Sequence, residues 1–399
     1  MRLLLVSSEF PPGPGGIGTH AYQLTRHLAA LGWEAMIATA QDHATGTQIA
    51  AFNAQSPFPI ERFWRMPAAP LKAAQRWFTV KAALRRFEPD VVIATGARAV
   101  WVTAGAITGG QPPLVAIGHG SEFALPAGWE RAAVRWAYSR AQTVICVSRY
   151  TWKEMVRSGV DVKAGTVIPN GADATQYDVP EESPADVLTE LGISPGPILV
   201  TVGNVTVRKG QEVVIRSLPE IVKYFPKVRY LIIGLPTERV ALETLASELG
   251  VSANVCFLGV QPGEVVRRVL SVADIFVMTS RRTAWGDFEG FGIAVVEAAL
   301  CATPAIVSNS GGLPEAIIEG ETGLAVEENN PHSTAEGILA LLRDPVRRRE
   351  MGLAACRHAN SSQTWLRRVA EYDDVLRSLV SAARNRTPFK LQPTWSHTP

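Results

Sequence analysis

The sequence predicts an α/β protein of two domains, each built around a parallel β-sheet. At 399 residues the chain is too long for one ordinary hydrophobic core and suits two domains of about 180 residues each. Hydrophobic residues make up 47% of the chain and charged residues only 19%, which favours strands buried on both faces. Short apolar runs also alternate with helix-length amphipathic segments, as they do in βαβ units.

The predicted strands are apolar runs that end in Gly, Pro, Asn or Ser, and they form two groups of six. The first half of the chain contains "RLLLVSS", "EAMIATA", "DVVIATG", "LVAIGHG", "TVICVS" and "TVIPNG". The second half contains "ILVTVGN", "RYLIIG", "VCFLG", "IFVMTS", "PAIVSN" and "GLAV". Between the groups, residues 171–196 are rich in turn formers and acidic residues, so we predict a linker there. Residues 383–399 lack periodicity and are predicted to form a flexible tail.

Overall charge, cysteine usage and the N-terminus limit the classes of partner and the compartment. The formal net charge is only +2, so nothing in the overall balance indicates a nucleic-acid partner. The four cysteines are scattered without metal-ligand spacing and are expected to be reduced, mostly buried thiols. The apolar run in the N-terminal segment "MRLLLVSSEF" is too short to be the apolar region of a signal peptide. No later stretch reaches the ~18 consecutive apolar residues of a membrane-spanning helix. We therefore expect a cytoplasmic protein.

A glycine-rich loop follows the first predicted strand, and ligands of parallel sheets bind outside the carboxyl ends of strands. Gly13, Gly15 and Gly18 satisfy the dinucleotide-binding pattern G-x-G-x-x-G, but several residues separate them from the strand, whereas that pattern normally opens directly off it. We favour a loop whose backbone N–H groups at Gly15 and Gly16 approach a phosphate or a sugar at the start of a helix. A plain glycine-rich turn is the alternative.

His119 ends the strand-like run "LVAIGHG" and is followed by "SE". A histidine at the carboxyl end of a strand, beside glycines, lies where reacting groups are held, although a structural role is as common. His119 and Glu122 could suggest a metal pair. No third ligand follows nearby and the chain has no Asp-x-Asp, so no metal site is predicted.

Arg208 and Lys209 follow the first strand of the second group and precede a predicted helix. Two cations have the wrong sign for the positive end of a helix dipole, which favours an anionic ligand such as a diphosphate. Solvated surface charge is the alternative interpretation.

Two glutamates, Glu289 and Glu297, stand eight positions apart in "EGFGIAVVE". Gly290 and Gly292 indicate a loop, so Glu289 should precede a helix and Glu297 should lie about one turn inside it. Carboxylates accept hydrogen bonds from hydroxyls, worth about 1.5–3 kcal/mol each, and sugars carry hydroxyls in pairs. Beside two cations this arrangement predicts a nucleotide sugar, and a capping Glu with a surface Glu is the alternative.

With these residues the chain resembles the retaining glycosyltransferases of family four, which have the GT-B fold of two Rossmann-like domains facing across a cleft. The matching segments, in the family's order and spacing, are "PPGPGGIGTH", "GHGSE", "VSRYTWKEM", "IPNGAD", "RKG", "EGFGIAVVE" and "SGGLPEAIIEGETGLAV". The resemblance implies a nucleoside-diphosphate sugar donor, no cofactor, no metal and retention of anomeric configuration. It also implies an acceptor-binding domain at 1–175, completed by a C-terminal helix at about 362–382, and a donor-binding domain at 197–361.

Carried over by motif, the resemblance implies roles for single residues. Lys209 would contact the diphosphate, Glu289 the hydroxyls of the donor sugar, and Glu297 the ribose. His119 would lie near the reacting carbon, and Gly16 would approach the phosphates from the N-terminal domain. Backbone groups would complete the donor pocket at Gly290, Phe291, Gly292 and Ile293.

One departure from the family pattern concerns the cations. The family usually has Gly-Arg followed five residues later by Lys, whereas this chain has Gly203, Asn204 and then Lys209. Arg208 is the candidate to supply the missing charge, with Asn204 in the donor-binding segment. Both cations would stabilise charge that grows on the leaving diphosphate. No carboxylate is obviously placed for a covalent intermediate, so we expect a same-face substitution in which the departing phosphate helps to deprotonate the acceptor.

Only one feature of the sequence bears on the acceptor, a segment rich in basic and aromatic residues, "WRMPAAPLKAAQRWFTVKAALRRF". A second segment, "WERAAVRWAYSR", has a similar composition. A helix of this composition is typical of contact with an anionic membrane surface or with a lipid-linked acceptor. A glycan or a small molecule is also a possible acceptor. A helix that packs its apolar stripe on the sheet is the alternative.

Three other functions fit parts of the pattern. A sugar-nucleotide epimerase would bind the same groups but release no nucleotide to an acceptor. A nicotinamide-dependent oxidoreductase would use the glycines and leave Glu297 without a role. A nucleotide-sugar sensor would bind without catalysis.

Overall fold

The computed structural model of the protein describes residues 1–13, 15–41, 44–177, 183–389 and 391. These residues form two compact units. The first unit comprises residues 1–170 together with 365–399, and the second comprises residues 171–364. Each unit is an α/β sandwich with a fully parallel sheet, and all twelve predicted apolar runs contain a strand.

The first unit has seven strands in the order β3-β2-β1-β4-β5-β6-β7. The strands are β1 Arg2–Ser7, β2 Glu34–Thr39, β3 Ile60–Arg62, β4 Val91–Thr95, β5 Leu114–Gly118, β6 Thr143–Cys146 and β7 Gly165–Val167. The helices are α1 Gly16–Ala30, α2 Gly46–Gln55, α3 Ala69–Phe87, α4 Ala97–Ala106, α5 Trp129–Ser139, α6 Arg149–Arg157 and the C-terminal α14 Trp365–Asn385. Strand side chains such as Leu4, Leu5 and Ile93 are fully buried, as expected for strands covered on both faces.

The second unit has six strands in the order β10-β9-β8-β11-β12-β13. They are β8 Ile198–Val202, β9 Arg229–Ile233, β10 Val255–Gly259, β11 Ile275–Met278, β12 Ala305–Ser308 and β13 Gly323–Val326. The helices are α7 Pro184–Glu190, α8 Gln211–Ile221, α9 Arg239–Glu248, α10 Gly263–Val272, α11 Ile293–Leu300, α12 Pro331–Arg343 and α13 Pro345–Ser362.

Two chain segments differ from what the sequence alone indicates. The segment predicted as a linker, 171–196, lies in the second unit: α7 occurs within it and buries Val187 and Leu188 beside α10. Residues 178–182 of that segment are outside the described part. The segment predicted as a tail, 383–399, begins as helix, because α14 continues to Asn385, and residues 390 and 392–399 are also outside the described part.

The C-terminal helix α14 belongs to the first unit, although the residues that precede it in the chain belong to the second. It lies against α1 and buries Trp365, Tyr372 and Leu376. The indole N–H of Trp33 donates to Asp373 at 2.6 Å. The helix is thus part of the first unit's core.

Candidate functional site

Each sheet has one point at which the strand order reverses. Most of the predicted site residues come after the strands at these points, whereas His119 follows β5. The reversal lies between β1 and β4 in the first sheet and between β8 and β11 in the second. Ligands of open parallel sheets bind outside the carboxyl ends of strands at such a point. In the second unit, the loop after β8 carries Asn204, Arg208 and Lys209, and the loop after β11 carries Glu289.

The second unit brings Arg208, Lys209 and Glu289 together into one cluster of ion pairs. The ammonium of Lys209 lies 2.8 Å from Oε2 of Glu289, and Nη1 of Arg208 donates to the same oxygen. The other side of Arg208 is held by Asp287, with Nε 3.2 Å from Oδ2. Lys209 and Glu289 expose only 13% and 14% of their side chains, so little solvent screens this pair.

The charges of the cluster fix its protonation states. Burial alone would raise the pKa of Glu289, but Lys209 and Arg208 outweigh it and lower that pKa to about 2. Burial lowers the pKa of Lys209, whereas the Glu289 carboxylate raises that of Arg208. Glu289 is therefore an ionised acceptor at neutral pH.

Backbone hydrogen bonds and one close backbone contact hold the loop that carries Glu289. The backbone N–H of Thr283 donates to the carbonyl of Asp287 at 2.9 Å, and the N–H of Asp287 donates to the hydroxyl of Thr283 at 3.1 Å, which closes a turn. The backbone carbonyl of Glu289 accepts from the N–H of Gly312 at 2.8 Å. Gly311 has φ +60°, and a Cβ there would lie 2.3 Å from that carbonyl, so only glycine fits this close approach.

The segment after Glu289 leads directly into α11. Gly290 and Phe291 are buried, Gly292 is the N-cap with φ 94°, and Ile293 is the first helical residue. Gly292 offers no side chain to cap the helix, so α11 begins with backbone N–H groups that its N-cap side chain does not satisfy. This is the loop and helix that the glycines predict.

Glu297 lies about one turn inside α11 and accepts a hydrogen bond from the hydroxyl of Tyr177. Lys209 is close enough to act on the charge of Glu297, which links it to the ion-pair cluster. Asn204 is exposed, and its backbone carbonyl accepts from Gln211 at 3.2 Å, so it lies outside the cluster. Asp287 and Tyr177 are two members of the site that the sequence did not indicate.

In the first unit, His119 follows β5 and its ring nitrogen Nε2 is 2.6 Å from the hydroxyl of Thr95. Burial lowers the pKa of His119 to about 4, so the ring is neutral at physiological pH.

Glu122 organises the loop that carries His119. Its two carboxylate oxygens accept from the backbone N–H groups of His119 and Gly120, both at 2.8 Å, and Tyr138 donates to it at 3.0 Å. The carboxylate is thus occupied by its own loop rather than shared with His119 as a metal ligand. Within the described ranges, no three His, Cys, Asp or Glu residues lie together as metal ligands would.

Gly15 and Gly16 lie at the start of α1, as the sequence predicts. Gly15 has φ +141°, a backbone conformation that L side chains rarely adopt, which explains the glycine at this position. Nothing lies within 4 Å of a Cβ built at Gly16, which leaves that backbone open. One turn later, the buried His20 packs edge-on against His119 with ring centroids 5.1 Å apart. The sequence did not indicate His20, because one buried histidine carries no local signal.

A second surface of the first unit carries the predicted basic and aromatic residues, and we call it the basic–aromatic face. It is formed by α3, α4 and α5, where Trp77 and Trp136 flank Gly105 of α4. Lys81 and Arg140 stack on these two indoles at 4.7 and 5.2 Å from the ring centroids. The exposed aromatic residues of this face include Phe78 at 66% and Trp129 at 76%. The same α3 buries Val80, Ala83 and Phe87, as the alternative interpretation of a helix packed on the sheet predicts.

No helix in the described part of the chain is both long and apolar enough to cross a membrane.

Comparison with protein families gives one match in each half of the chain. The family described as "Glycosyltransferase Family 4" matches residues 14–176, and that described as "Glycosyl transferases group 1" matches residues 190–358. The two matches together span most of both units, without α14, and include every predicted site residue.

Curated relatives are similar along almost the whole chain. The GDP-mannose-dependent alpha-(1-6)-phosphatidylinositol monomannoside mannosyltransferase of Mycolicibacterium smegmatis is 29% identical over 385 residues, which are 94% of this chain and 98% of that protein. The D-inositol 3-phosphate glycosyltransferase of Nocardia farcinica is 36% identical over 209 residues, which are 50% of this chain and 45% of that protein.

Solved structures share the fold at low identity. Alr3699/HepE of Anabaena, solved in complex with UDP, superposes with a TM-score of 0.79 at 22% identity, covering 95% of this chain and 100% of that one. Sucrose-phosphate synthase from Thermosynechococcus elongatus gives a TM-score of 0.82 at 21% identity, covering 96% and 99%.

Proposed function

The chain belongs to glycosyltransferase family 4 and has the GT-B fold, and on this basis we propose that it transfers a hexose from a nucleoside-diphosphate sugar to an acceptor hydroxyl with retention of configuration and without a metal ion. We further propose GDP-mannose as the donor and a lipid-linked acceptor, because whole-length relatives are described as GDP-mannose-dependent mannosyltransferases of phosphatidylinositol monomannosides.

The observation that carries the proposal is the cluster of Arg208, Lys209 and Glu289 at the point where the strand order of the second sheet reverses. Two cations suit a diphosphate, and an ionised carboxylate suits sugar hydroxyls. The cluster holds both kinds of group within hydrogen-bonding distance of each other. In a nucleotide sugar the diphosphate is bonded directly to the hexose, so its phosphate oxygens and the sugar hydroxyls also lie close together.

Donor binding would exchange partners within this cluster. The diphosphate oxygens would take the place of the Glu289 carboxylate on Lys209 and Arg208. Glu289 would then accept hydrogen bonds from two hydroxyls of the hexose. Glu297 would accept from the ribose hydroxyls, and the uncapped start of α11 would face the phosphates.

The proposed reaction is a substitution on one face of the sugar. The bond between C1 and the diphosphate oxygen breaks, the acceptor oxygen forms a new bond to C1 on the same face, and the acceptor proton passes to the departing diphosphate. Lys209 and Arg208 stabilise the charge that grows on that leaving group, which is the task a divalent cation performs in other transferases. His119, neutral at physiological pH, would accept or donate a hydrogen bond near the reacting carbon without adding charge.

The basic–aromatic face supports the proposal of a lipid-linked acceptor at an anionic membrane surface. Exposed aromatic rings such as Phe78 and Trp129 can enter the headgroup region, and the neighbouring Lys and Arg side chains can meet lipid phosphates. Peripheral contact of this kind needs no spanning helix.

The donor is tested by thermal-shift measurements of the full chain with GDP-mannose, UDP-glucose and ADP-glucose. A ligand at 100 times its dissociation constant should add about 2.7 kcal/mol of stability, and we expect this for GDP-mannose. Lys209→Met should abolish the shift, whereas Lys223→Met, which changes an exposed lysine of the same unit, should not. Absence of a shift with every sugar nucleotide would refute the proposed donor class.

Stereochemistry and metal dependence are tested on the product. NMR of a mannosylated acceptor should show the α-anomer formed from the α-linked donor, and activity should persist in EDTA. A β-linked product, or loss of activity in EDTA that Mg²⁺ restores, would overturn these parts of the proposal.

A further inference from the structure

Tyr177 contacts the donor-site carboxylate Glu297 and has no role in the function proposed above. It follows a short 3₁₀ helix, Ala174–Gln176, near the start of the second unit. Its hydroxyl donates a hydrogen bond to Glu297, which lies on α11 more than a hundred residues later in the chain.

The backbone around Tyr177 is fixed against the same helix. The Tyr177 carbonyl accepts from Sγ of Cys301, the residue that follows α11, at 3.6 Å. Upstream, Asp173 caps the 3₁₀ helix by accepting from the N–H and hydroxyl of Thr175 at 3.2 and 2.7 Å. The phenol therefore reaches Glu297 from a backbone that is held at two points, and its direction is set.

The hydrogen bond leaves Glu297 able to bind a ligand. An ionised carboxylate has about four acceptor sites, and the phenol occupies one of them. Burial raises the pKa of Tyr177 well above its usual range, so the phenol keeps its proton and acts as the donor. Burial also raises the pKa of Glu297, and the Tyr177 hydrogen bond and the Lys209 charge oppose that change.

We propose that Tyr177 is a positioning residue of the donor site: its hydroxyl orients the Glu297 carboxylate toward the two ribose hydroxyls and so makes the site prefer ribonucleotides to deoxyribonucleotides. The inference rests on the proposed function, which assigns the ribose to Glu297. A side chain that accepts from two vicinal hydroxyls must present its oxygens in one orientation, and a single fixed donor supplies that orientation. Tyr177 itself touches no substrate.

The test compares Tyr177→Phe with wild-type protein by calorimetric titration of GDP and 2′,3′-dideoxy-GDP. Phenylalanine keeps the ring and removes one oxygen. The wild-type protein should bind GDP at least thirtyfold more tightly than dideoxy-GDP. In Tyr177→Phe the affinity for GDP should fall about tenfold, while that for dideoxy-GDP stays nearly unchanged, so the preference for ribose narrows.

Two controls separate positioning from general damage. Inorganic diphosphate, which has no ribose for Glu297 to bind, should bind both proteins equally and so report that the variant is folded. Tyr224→Phe, at an exposed tyrosine of the same unit, should keep the full ribose preference.

The outcomes distinguish this inference from the function on which it rests. If wild-type protein binds neither nucleotide, the proposed GDP-sugar donor fails. If it binds both equally, the assignment of the ribose to Glu297 fails, and this inference is overturned while the proposed transferase function stands. If wild-type protein prefers GDP and Tyr177→Phe shows the same preference, or weakens both nucleotides equally, Tyr177 has only a structural role and the inference is overturned.

Discussion

The ammonium of Lys209 lies 2.8 Å from the carboxylate of Glu289, and the same carboxylate oxygen accepts from Arg208. The residues predicted to hold the diphosphate and the sugar therefore pair with one another and lie within one cluster. The same arrangement predicts which substitutions in the cluster lower donor binding and which lower turnover.

Glu289→Gln should lower turnover at least tenfold while leaving the affinity for free GDP nearly intact. The substitution removes the charged acceptor for the hexose hydroxyls but leaves both cations for the diphosphate. Steady-state kinetics and calorimetric titration with GDP measure the two effects. Glu190→Gln, at an exposed surface pair with Arg268, is the matched control and should behave as wild type. Wild-type turnover in Glu289→Gln would remove this carboxylate from the mechanism.

The stability that Glu289 contributes should disappear in acid. Its pKa in the folded protein is about 2, below the usual 4.5, so its contribution is fully present above about pH 5 and is lost as the pH falls toward 2. A difference of this size corresponds to about 3 kcal/mol at neutral pH, of which roughly half should be lost by pH 3.

Urea unfolding of wild-type protein and of Glu289→Gln between pH 7 and pH 3, followed by circular dichroism, measures this effect. The difference in free energy of unfolding between the two proteins should shrink as the pH falls. A difference that stays constant with pH would mean that the ion pairs with Lys209 and Arg208 do not form in solution.

Glu122→Gln should disorganise the loop that carries His119. The amide would place an NH₂ group opposite one of the two backbone N–H donors, which leaves a buried donor unpaired at a cost of about 1–3 kcal/mol. We expect a lower melting temperature and at least a tenfold loss of turnover. Tyr138→Phe removes only one of the three donors to Glu122 and should have a smaller effect. Equal effects of the two variants would contradict this account of the loop.

Flotation with liposomes tests the basic–aromatic face. The wild-type protein should float with vesicles that contain anionic lipid and much less with vesicles of phosphatidylcholine alone. Replacing Phe78 and Trp129 by serine should reduce flotation at least fivefold, because both rings are largely exposed and cannot be needed for the core. Trp285→Ser, at an 84% exposed tryptophan of the second unit, is the matched control. Failure of the wild-type protein to float on anionic vesicles would end the membrane proposal.

Most strands could be predicted from the sequence, because strands covered on both faces are continuous apolar runs. The exception is β3, Ile60–Arg62, which consists of three residues at the edge of the first sheet. None of the three is fully buried and two are charged, so no apolar run indicated it. The helix α7 was missed for a related reason: its seven residues bury only Val187 and Leu188.

The candidate site could be predicted in part. Arg208, Lys209, Glu289 and Glu297 carry a signal, since each follows a strand or a glycine in a local pattern. Their ion pairing could not be predicted, because it depends on how the loops after β8 and β11 approach each other. Asp287 and Tyr177 enter the site through such long-range contacts, and no local pattern in the sequence marks them.

The route of the chain has a practical consequence for anyone dissecting this enzyme. A polypeptide that stops at Asn170 lacks α14, and with it Trp365, Tyr372 and Leu376, so it would expose apolar surface on α1 and should aggregate when expressed alone. Residues 171–364, by contrast, are a single uninterrupted stretch and can be cloned as one piece. To obtain the other half, α14 must be fused back, for example through a flexible linker that joins Asn170 to Trp365.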